Sequence, residues 1–163
     1  MGVVIQGASN VRVVDNVFDD IGYAVIGLEP NSSYQGGRDI VIRNNTIGSY
    51  SLNNWLKGFL FYACDATWSD GPSTTRGVTI TGNRVAGNPN GKDGGMMGLN
   101  ILVCNESPHI DFTITNNTAG KAVAGPVMRL WGMQNVTVTG NTQPLSSGKL
   151  ANFDGSTGVT FRN

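Results

Sequence analysis

The stretch Gly77–Val85, which reads GVTITGNRV, decides the fold of this chain, because close variants of it recur along the sequence. Each variant starts with an apolar/polar alternation, which is typical of a β-strand. The variants lie at Asn10–Phe18, Asp39–Ile47, Gly77–Val85, Asp111–Ala119, Asn135–Gln143 and Gly158–Asn163, the last of which is shorter. A sharp turn at the same point of every variant predicts a solenoid of stacked short strands.

The turn is predicted from residue types that accept positive φ at little cost. These residues are Asp15, Asn44, Gly82, Asn116, Gly140 and Asn163. In the complete phrases an Asn follows, and we expect Asn16, Asn45, Asn83 and Asn117 to stack at one corner and to hydrogen-bond through their amides. The alternating apolar positions are expected to point inward; they are Val11, Val13, Ile40, Ile42, Val78, Ile80, Phe112, Ile114, Val136 and Val138.

The spacing between phrases is variable. Positions 136 and 159 are 23 residues apart, whereas positions 40 and 78 are 38 apart. We interpret the short spacing as a bare coil of about three short strands, and the longer one as the same coil with an inserted loop. Such variation argues against propellers and leucine-rich repeats, whose periods are tighter.

These V-x-I-x-x-N-x-I-like phrases resemble those of the right-handed parallel β-helix proteins, a superfamily that includes pectate lyases, polygalacturonase-like hydrolases and phage tailspikes. The resemblance covers most of the chain. It implies an all-β, right-handed parallel β-helix solenoid of about five coils, in one domain over residues 1–163. It implies a fold more than an activity, because many chemistries share this scaffold.

Composition excludes several function classes. Charged residues make up 13% of the chain and the formal net charge is zero, so we expect no nucleic-acid partner. No apolar stretch approaches the roughly 18 residues of a membrane span. His109 is the single His and no Cys-x-x-Cys spacing exists, so neither a metal site nor a cofactor is expected.

Neither end of the sequence shows a helix-like cap, although the open ends of a solenoid expose backbone and core. We therefore expect a piece of a longer protein, or a subunit whose ends are covered by partners. The partners expected on this basis are further copies, in a homo-oligomer or an end-to-end association. The expected location is extracellular or on a virion surface.

The two cysteines occupy matching places, since Cys64 and Cys104 each end an apolar stretch that precedes a loop. If their strands are neighbours, the two residues stack about 4.8 Å apart. Two interpretations stay open: reduced thiols within a core ladder, or a disulfide, because that separation lies within the range a disulfide allows.

A second set of apolar stretches carries the candidate catalytic residues. These stretches are Ala24–Leu28, Phe59–Ala63, Leu99–Val103, Val127–Trp131 and Leu150–Phe153. Glu29, Asp65 and Glu106 follow the first three, so stacking predicts a column of carboxylates whose neighbours lie roughly 5 Å apart at the backbone. Such spacing resembles the carboxylate pairs of glycosidases, and like-charge proximity would raise one pKa as a general acid requires.

Other residues near these loops suit a sugar ligand, because sugars offer flat apolar faces and hydroxyls. Trp68 and Trp131 are candidate stacking faces, Arg129 is a candidate charge for an anionic sugar, and Asp70 is a further polar candidate. The alternative is that these residues only anchor loops.

Two function classes follow from the sequence. The first is a carbohydrate-recognising or carbohydrate-processing module, either a polysaccharide hydrolase or lyase or a non-catalytic binding unit. The second is a structural shaft of a phage tail or surface protein. Long loops in the first part of the chain favour a site there, because a pure shaft does not need them.

Overall fold

In a computed structural model the chain is described over residues 2–22, 24–28, 37–48, 50, 61–64, 74–86, 99, 101–104 and 109–163. Every regular element in these residues is a β-strand. In chain order the strands are β1 (Val3–Ile5), β2 (Arg12–Val14), β3 (Val17–Phe18), β4 (Ile26–Leu28), β5 (Arg38–Arg43), β6 (Thr46–Ile47), β7 (Phe61–Cys64), β8 (Arg76–Thr81), β9 (Arg84–Val85), β10 (Ile101–Cys104), β11 (Ile110–Thr115), β12 (Thr118–Ala119), β13 (Val123–Ala124), β14 (Met128–Leu130), β15 (Gln134–Thr139), β16 (Leu145–Ser147), β17 (Ala151–Asn152) and β18 (Thr157–Arg162). Within this part of the chain no helix is long and apolar enough to cross a membrane.

The strands form parallel sheets, and the chain visits those sheets in turn. Sheet A has the order β1-β4-β7-β10-β14-β17, sheet B the order β2-β5-β8-β11-β15-β18, and sheet C the order β3-β6-β9-β12. A fourth sheet pairs β13 with β16. Neighbouring strands in each sheet are parallel, so antiparallel pairing of successive phrases does not occur in them. This arrangement is compatible with the parallel β solenoid that the repeated phrases predict.

Sheet B is built from the phrases, and its register places like positions opposite each other. One inward row joins Val78 to Phe112 and then Val136, and the next joins Ile80 to Ile114 and then Val138. These six side chains are at most 1% exposed, and each such burial stabilises the fold by about 1.5–3 kcal/mol. Val13, Ile40 and Ile42 are buried as predicted; Val11 packs against the core but is only partly buried.

Sheet A supplies the opposite wall of the core. Ile26, Phe61, Ile101 and Met128 lie in one row and are buried. The Phe61 ring meets the Phe112 ring of sheet B edge-on, with centroids 6.3 Å apart. Each of the five predicted apolar stretches thus overlaps a sheet A strand; β4, β14 and β17 lie within their stretches, whereas β7 and β10 begin two residues later and end one residue later than predicted.

Two corners of sheet B consist of residues with positive φ. At the trailing corner, where the chain leaves sheet B, five of the six predicted residues have positive φ: Asp15, Asn44, Gly82, Asn116 and Gly140. At Asn163 the side chain contributes instead, since its Oδ1 accepts a hydrogen bond from the Asn141 N–H. At the leading corner, where the chain turns into sheet B, a second column has positive φ: Asn10, Asp39, Gly77, Asp111, Asn135 and Gly158.

The Asn residues beside the trailing corner form the predicted ladder. Both the N–H and the Nδ2 of Asn45 donate to Oδ1 of Asn83, at 3.0 and 2.9 Å. Asn83 donates in the same way to Asn117, and Asn117 to Asn141. The Asn83 Nδ2 also donates to the Ile42 carbonyl at 3.0 Å. The ladder therefore satisfies backbone groups that the turn would otherwise leave buried without partners.

The register of sheet A also places Cys64 opposite Cys104. The two strands are neighbours, as the cysteine prediction requires. The side chains of both residues lie outside the described part of the structure, so both interpretations of the pair stay open.

Candidate functional site

Five of the predicted site residues lie outside the described residues. They are Glu29, Asp65, Trp68, Asp70 and Glu106. In the sequence they fall in the three connections that run from a sheet A strand to the following sheet B strand, namely 29–37, 65–75 and 105–109. The carboxylate column therefore stays a prediction.

Arg129 and Trp131 are described, and both lie at sheet A. Arg129 is exposed at the centre of β14, between the buried Met128 and Leu130, so its side chain is on the outer face of the sheet. Trp131 follows β14 directly, and its backbone N–H donates to the Val103 carbonyl at 3.1 Å. Its ring is half-buried, and its indole Nε1 is buried without a hydrogen-bond partner among the described residues.

The next strand of sheet A brings polar groups to the same place. Asn152 is paired with Arg129 across the two strands. Its Nδ2 donates to Asp154 Oδ2 at 3.1 Å, and the Asp154 N–H donates to Asn152 Oδ1 at 3.2 Å. The strand β14 and its neighbour β17 thus bring a cation, an amide and a carboxylate to the carboxyl end of sheet A, where Trp131 directly follows β14.

The leading corner of sheet B holds an open depression of about 470 Å³. It is lined by Asn10, Arg12, Asp39, Val41, Gly77, Thr79 and Asp111. The floor consists of outward residues of sheet B, half-buried Val41 and Thr79, whereas Arg12, Asp39 and Asp111 are exposed. The site therefore offers carboxylates, a guanidinium, an amide and a hydroxyl around a small apolar surface.

Gly77 separates the two carboxylates of the depression. It occupies the corner position of β8, between the equivalent positions of Asp39 on one side and Asp111 on the other. Its φ is +66°, and a Cβ there would lie 3.0 Å from Asp39 Oδ1. Two strand steps place the Asp39 and Asp111 backbones roughly 9.6 Å apart. Because Gly77 has no side chain, a notch remains between Asp39 and Asp111, whose backbones are not in contact.

The leading corner connects this depression to the Arg129 region. Asn135 Nδ2 donates to Asp111 Oδ1 at 3.1 Å, so the corner column continues from the depression onto β15. Asn135 follows Trp131 by four residues, through a turn at Gly132 with φ 62°. Polar groups therefore line one edge of the molecule from Asn10 to the start of β15.

Sequence reasoning missed the depression, although a signal for it exists. Each phrase begins with Asn, Asp or Gly, the same three types that marked the trailing corner. Read alone, each of these is an ordinary loop residue. Read as a column, they mark a second corner, at which Asn10, Asp39, Asp111 and Asn135 are exposed.

The described residues contain no group of three or more His, Cys, Asp or Glu side chains that could hold a metal ion. No known protein family, curated protein or solved structure matches the chain. The function is therefore inferred from the geometry of the site.

Proposed function

We propose that this chain is a carbohydrate-recognising module built on a right-handed parallel β-helix. The glycan lies along the leading corner, from the depression around Gly77 towards Arg129 and Trp131. The observation that carries this proposal is the notch itself, in which Asp39 and Asp111 flank a glycine and face solvent.

The chemistry of the notch suits a polyhydroxyl ligand. Carboxylates accept hydrogen bonds from sugar hydroxyls, while the Arg12 guanidinium and the Asn10 amide donate them. Hydrogen bonds to charged groups contribute more than neutral ones, about 1.5–3 kcal/mol each. Trp131 is half-buried and follows the exposed Arg129 by two residues, and its ring would offer a stacking face for a sugar.

Binding to polysaccharides tests this proposal. The 163-residue chain is titrated with a neutral glucan and with an acidic polyuronate, and the dissociation constants are compared with those of an Asp39→Asn/Asp111→Asn variant. Asn tolerates positive φ, so the corner backbone is kept while two charges are lost. We expect affinity for the bound polymer to fall about 10-fold or more, since 1.4 kcal/mol corresponds to tenfold.

Asp15→Asn is the matched control. Asp15 is exposed and has a φ of 58°, like Asp39 with 53°, but it lies at the trailing corner. It should leave the affinity unchanged. Equal losses in both variants, or no binding by the unaltered chain, would contradict glycan recognition at the leading corner.

Processing of the glycan is a separate part of the proposal and depends on Glu29, Asp65 and Glu106. Product release from the bound polysaccharide is measured for the unaltered chain and for an Asp65→Asn/Glu106→Gln variant. Cleavage that disappears in the variant supports a hydrolase or lyase. Binding without cleavage in either protein supports a pure recognition module. For either outcome, the proposed location of the protein is outside the cell or on a virion.

The second candidate function is a structural shaft. The observation in its favour is that β11, β15 and β18 pair in one unshifted register, with only residues 116–133 and 140–156 between them. A shaft predicts no affinity for either polysaccharide, and assembly with further copies of the chain. The titration above therefore separates the two functions.

A further inference from the structure

The two outer strands of sheet B leave opposite edges open. In the described residues β2 pairs with β5 alone, and β18 pairs with β15 alone. The Val41 N–H donates to the Val11 carbonyl at 2.9 Å, so the backbone groups of Val11 face β5. Successive residues of a strand direct their backbone groups to opposite sides, so those of Arg12 face the open edge of β2.

The asparagine ladder has a direction, and its first member lacks one bond that the inner members make. The Asn83 Nδ2 donates to two carbonyls, that of Ile42 in the preceding coil at 3.0 Å and that of Thr81 in its own coil at 3.3 Å. The Asn16 Nδ2 donates to the equivalent carbonyl of its own coil, Val14, at 3.1 Å. Within the described structure no coil precedes it, and its Oδ1 accepts no hydrogen bond there.

The opposite end of sheet B offers the acceptor that Asn16 lacks. The carbonyls that accept a ladder amide from the following coil occupy one register position, and they belong to Val13, Ile42, Ile80 and Ile114. Phe161 occupies the same position, because it is paired with Val138 and Val138 with Ile114. In the described chain β18 has no neighbour on this side, so the Phe161 carbonyl lies on an open edge.

The apolar residues of the two edges match as well. Val159 is 37% exposed and Phe161 46% exposed. If the register of sheet B continues by one strand, Val11 lies opposite Val159 and Val13 opposite Phe161, which pairs apolar with apolar as in the rest of both rows. The strand that fits β18 is therefore one with this alternation and with an Asn after its turn, and the phrase Asn10–Phe18 has both features.

We propose that copies of this chain stack head to tail, with β18 of one copy paired in parallel with β2 of the next. The Arg12 N–H then donates to the Val159 carbonyl, and the Asn16 Nδ2 to the Phe161 carbonyl. These bonds repeat the ones that Val41 and Asn45 make within one copy. Such an interface joins different surfaces and leaves one of each free, so it produces chains of copies rather than closed pairs.

The stacking does not depend on the proposed glycan site, although it would extend that site. Continuation of the register places Thr160 of one copy beside Arg12 of the next, and Arg12 lines the depression. Association is measured without any polysaccharide, so failure of stacking and failure of glycan binding are separate results.

The test is sedimentation of two variants, each blocked at one end. Arg12→Pro removes the N–H at the open edge of β2, and proline is tolerated in an edge strand but not in a central one. Val159→Lys/Phe161→Lys places two charges on the edge of β18. At a concentration where the unaltered chain forms a series of oligomers, we expect each variant alone to be monomeric. An equimolar mixture of the two should form dimers and nothing larger, because each variant keeps one competent end.

Arg12→Ala is the matched control, because it removes the same side chain and keeps the backbone N–H. It should associate as the unaltered chain does. Dimers of Arg12→Pro alone would indicate symmetric pairing of two β18 edges and would overturn the proposal. A monomeric unaltered chain at every concentration, or a mixture that stays monomeric, would overturn it too.

Thermal unfolding of each variant shows whether it is folded. If Arg12→Pro is not, cross-linking with oxidised glutathione decides, between an Arg12→Cys and a Thr160→Cys variant that both also carry Cys64→Ser/Cys104→Ser. Head-to-tail stacking places positions 12 and 160 about 4.8 Å apart at the backbone, within the range that a disulfide allows. A cross-link between the two variants supports the proposal. Cross-linking of Thr160→Cys with itself and not with Arg12→Cys overturns it.

Discussion

At the scale of single residues, asparagine does most to fix the turns of this chain. The Oδ1 of Asn83 accepts two hydrogen bonds from Asn45, the preceding Asn of the ladder. The Nδ2 of the same side chain donates to the Ile42 carbonyl in the neighbouring strand β5. No apolar side chain can replace these bonds. Sequence reasoning could predict this ladder, because the same residue type recurs at the same point of every complete phrase.

Replacement of Asn83 by Leu should lower the free energy of unfolding by about 1–3 kcal/mol, because the N–H of Asn45 loses its acceptor in a buried place. Thermal and urea unfolding measure the loss. Asn16→Leu is the comparison: Asn16 is exposed and donates to Asn45, so its loss should be smaller. Equal stability of Asn83→Leu and the unaltered chain would contradict a structural role for the ladder.

Glycine at the trailing corner provides a second test at this scale. Gly82 has a φ of +65°, and a Cβ there would lie 2.7 Å from Asn44 Oδ1. Gly82→Ala should therefore destabilise the fold by about 1–2 kcal/mol. Gly120→Ala is the control, since a Cβ at Gly120 would meet nothing within 4 Å. A Gly82→Ala melt as high as that of Gly120→Ala would contradict the assigned corner conformation.

At the scale of the strand, the alternation of faces determines what can be predicted. In β11 the buried Phe112 and Ile114 alternate with half-buried threonines, and this period was readable from the phrase alone. The bounds of sheet A strands were less predictable. Ala24 and Val25 are buried although β4 begins at Ile26, because an apolar pattern reports burial and not the ladder of backbone hydrogen bonds.

Two neighbouring residues of β11 test the alternation directly. Ile114→Ala should lower the free energy of unfolding by about 2–5 kcal/mol, because it empties part of a closed core. Thr113→Ala, one residue earlier on the outer face, should change it by no more than about 0.5 kcal/mol. Similar losses in the two variants, measured by urea unfolding, would mean that the faces of β11 are assigned wrongly.

At the scale of the whole molecule, repetition organises both the core and the candidate site. The leading corner was not predicted, because Asn, Asp and Gly at the start of a phrase look like ordinary loop residues until the register aligns them. The predicted acids Glu29, Asp65 and Glu106 lie outside the described residues, so their convergence stays a prediction. Arg129 and Trp131 were named from the sequence for their chemistry; Arg129 lies in β14 and Trp131 directly follows it, and their role in binding stays a prediction.

The last strand of sheet B predicts association of the 163-residue chain. Val159 is 37% exposed and Phe161 46% exposed, although their register partners Val136 and Val138 are fully buried. An uncovered apolar strand edge favours pairing with another chain. Sedimentation over a concentration series should therefore show association that is lost in Val159→Lys/Phe161→Lys.

Thr118→Lys should still associate, since the exposed Thr118 lies in β12 of sheet C and not in β18. A monomer at every concentration, or association unaffected by lysine at positions 159 and 161, would contradict the role of this edge.

Parallel, in-register stacking of the phrases is the central claim, because it creates both corners and the core. Nuclear Overhauser contacts between backbone protons of neighbouring phrases test it most directly. Parallel stacking predicts that Ile80 contacts the backbone near Ile114, and that Ile114 contacts the backbone near Val138. Contacts that run in the opposite direction, joining Val78 to Ile114 and Ile80 to Phe112, would contradict it.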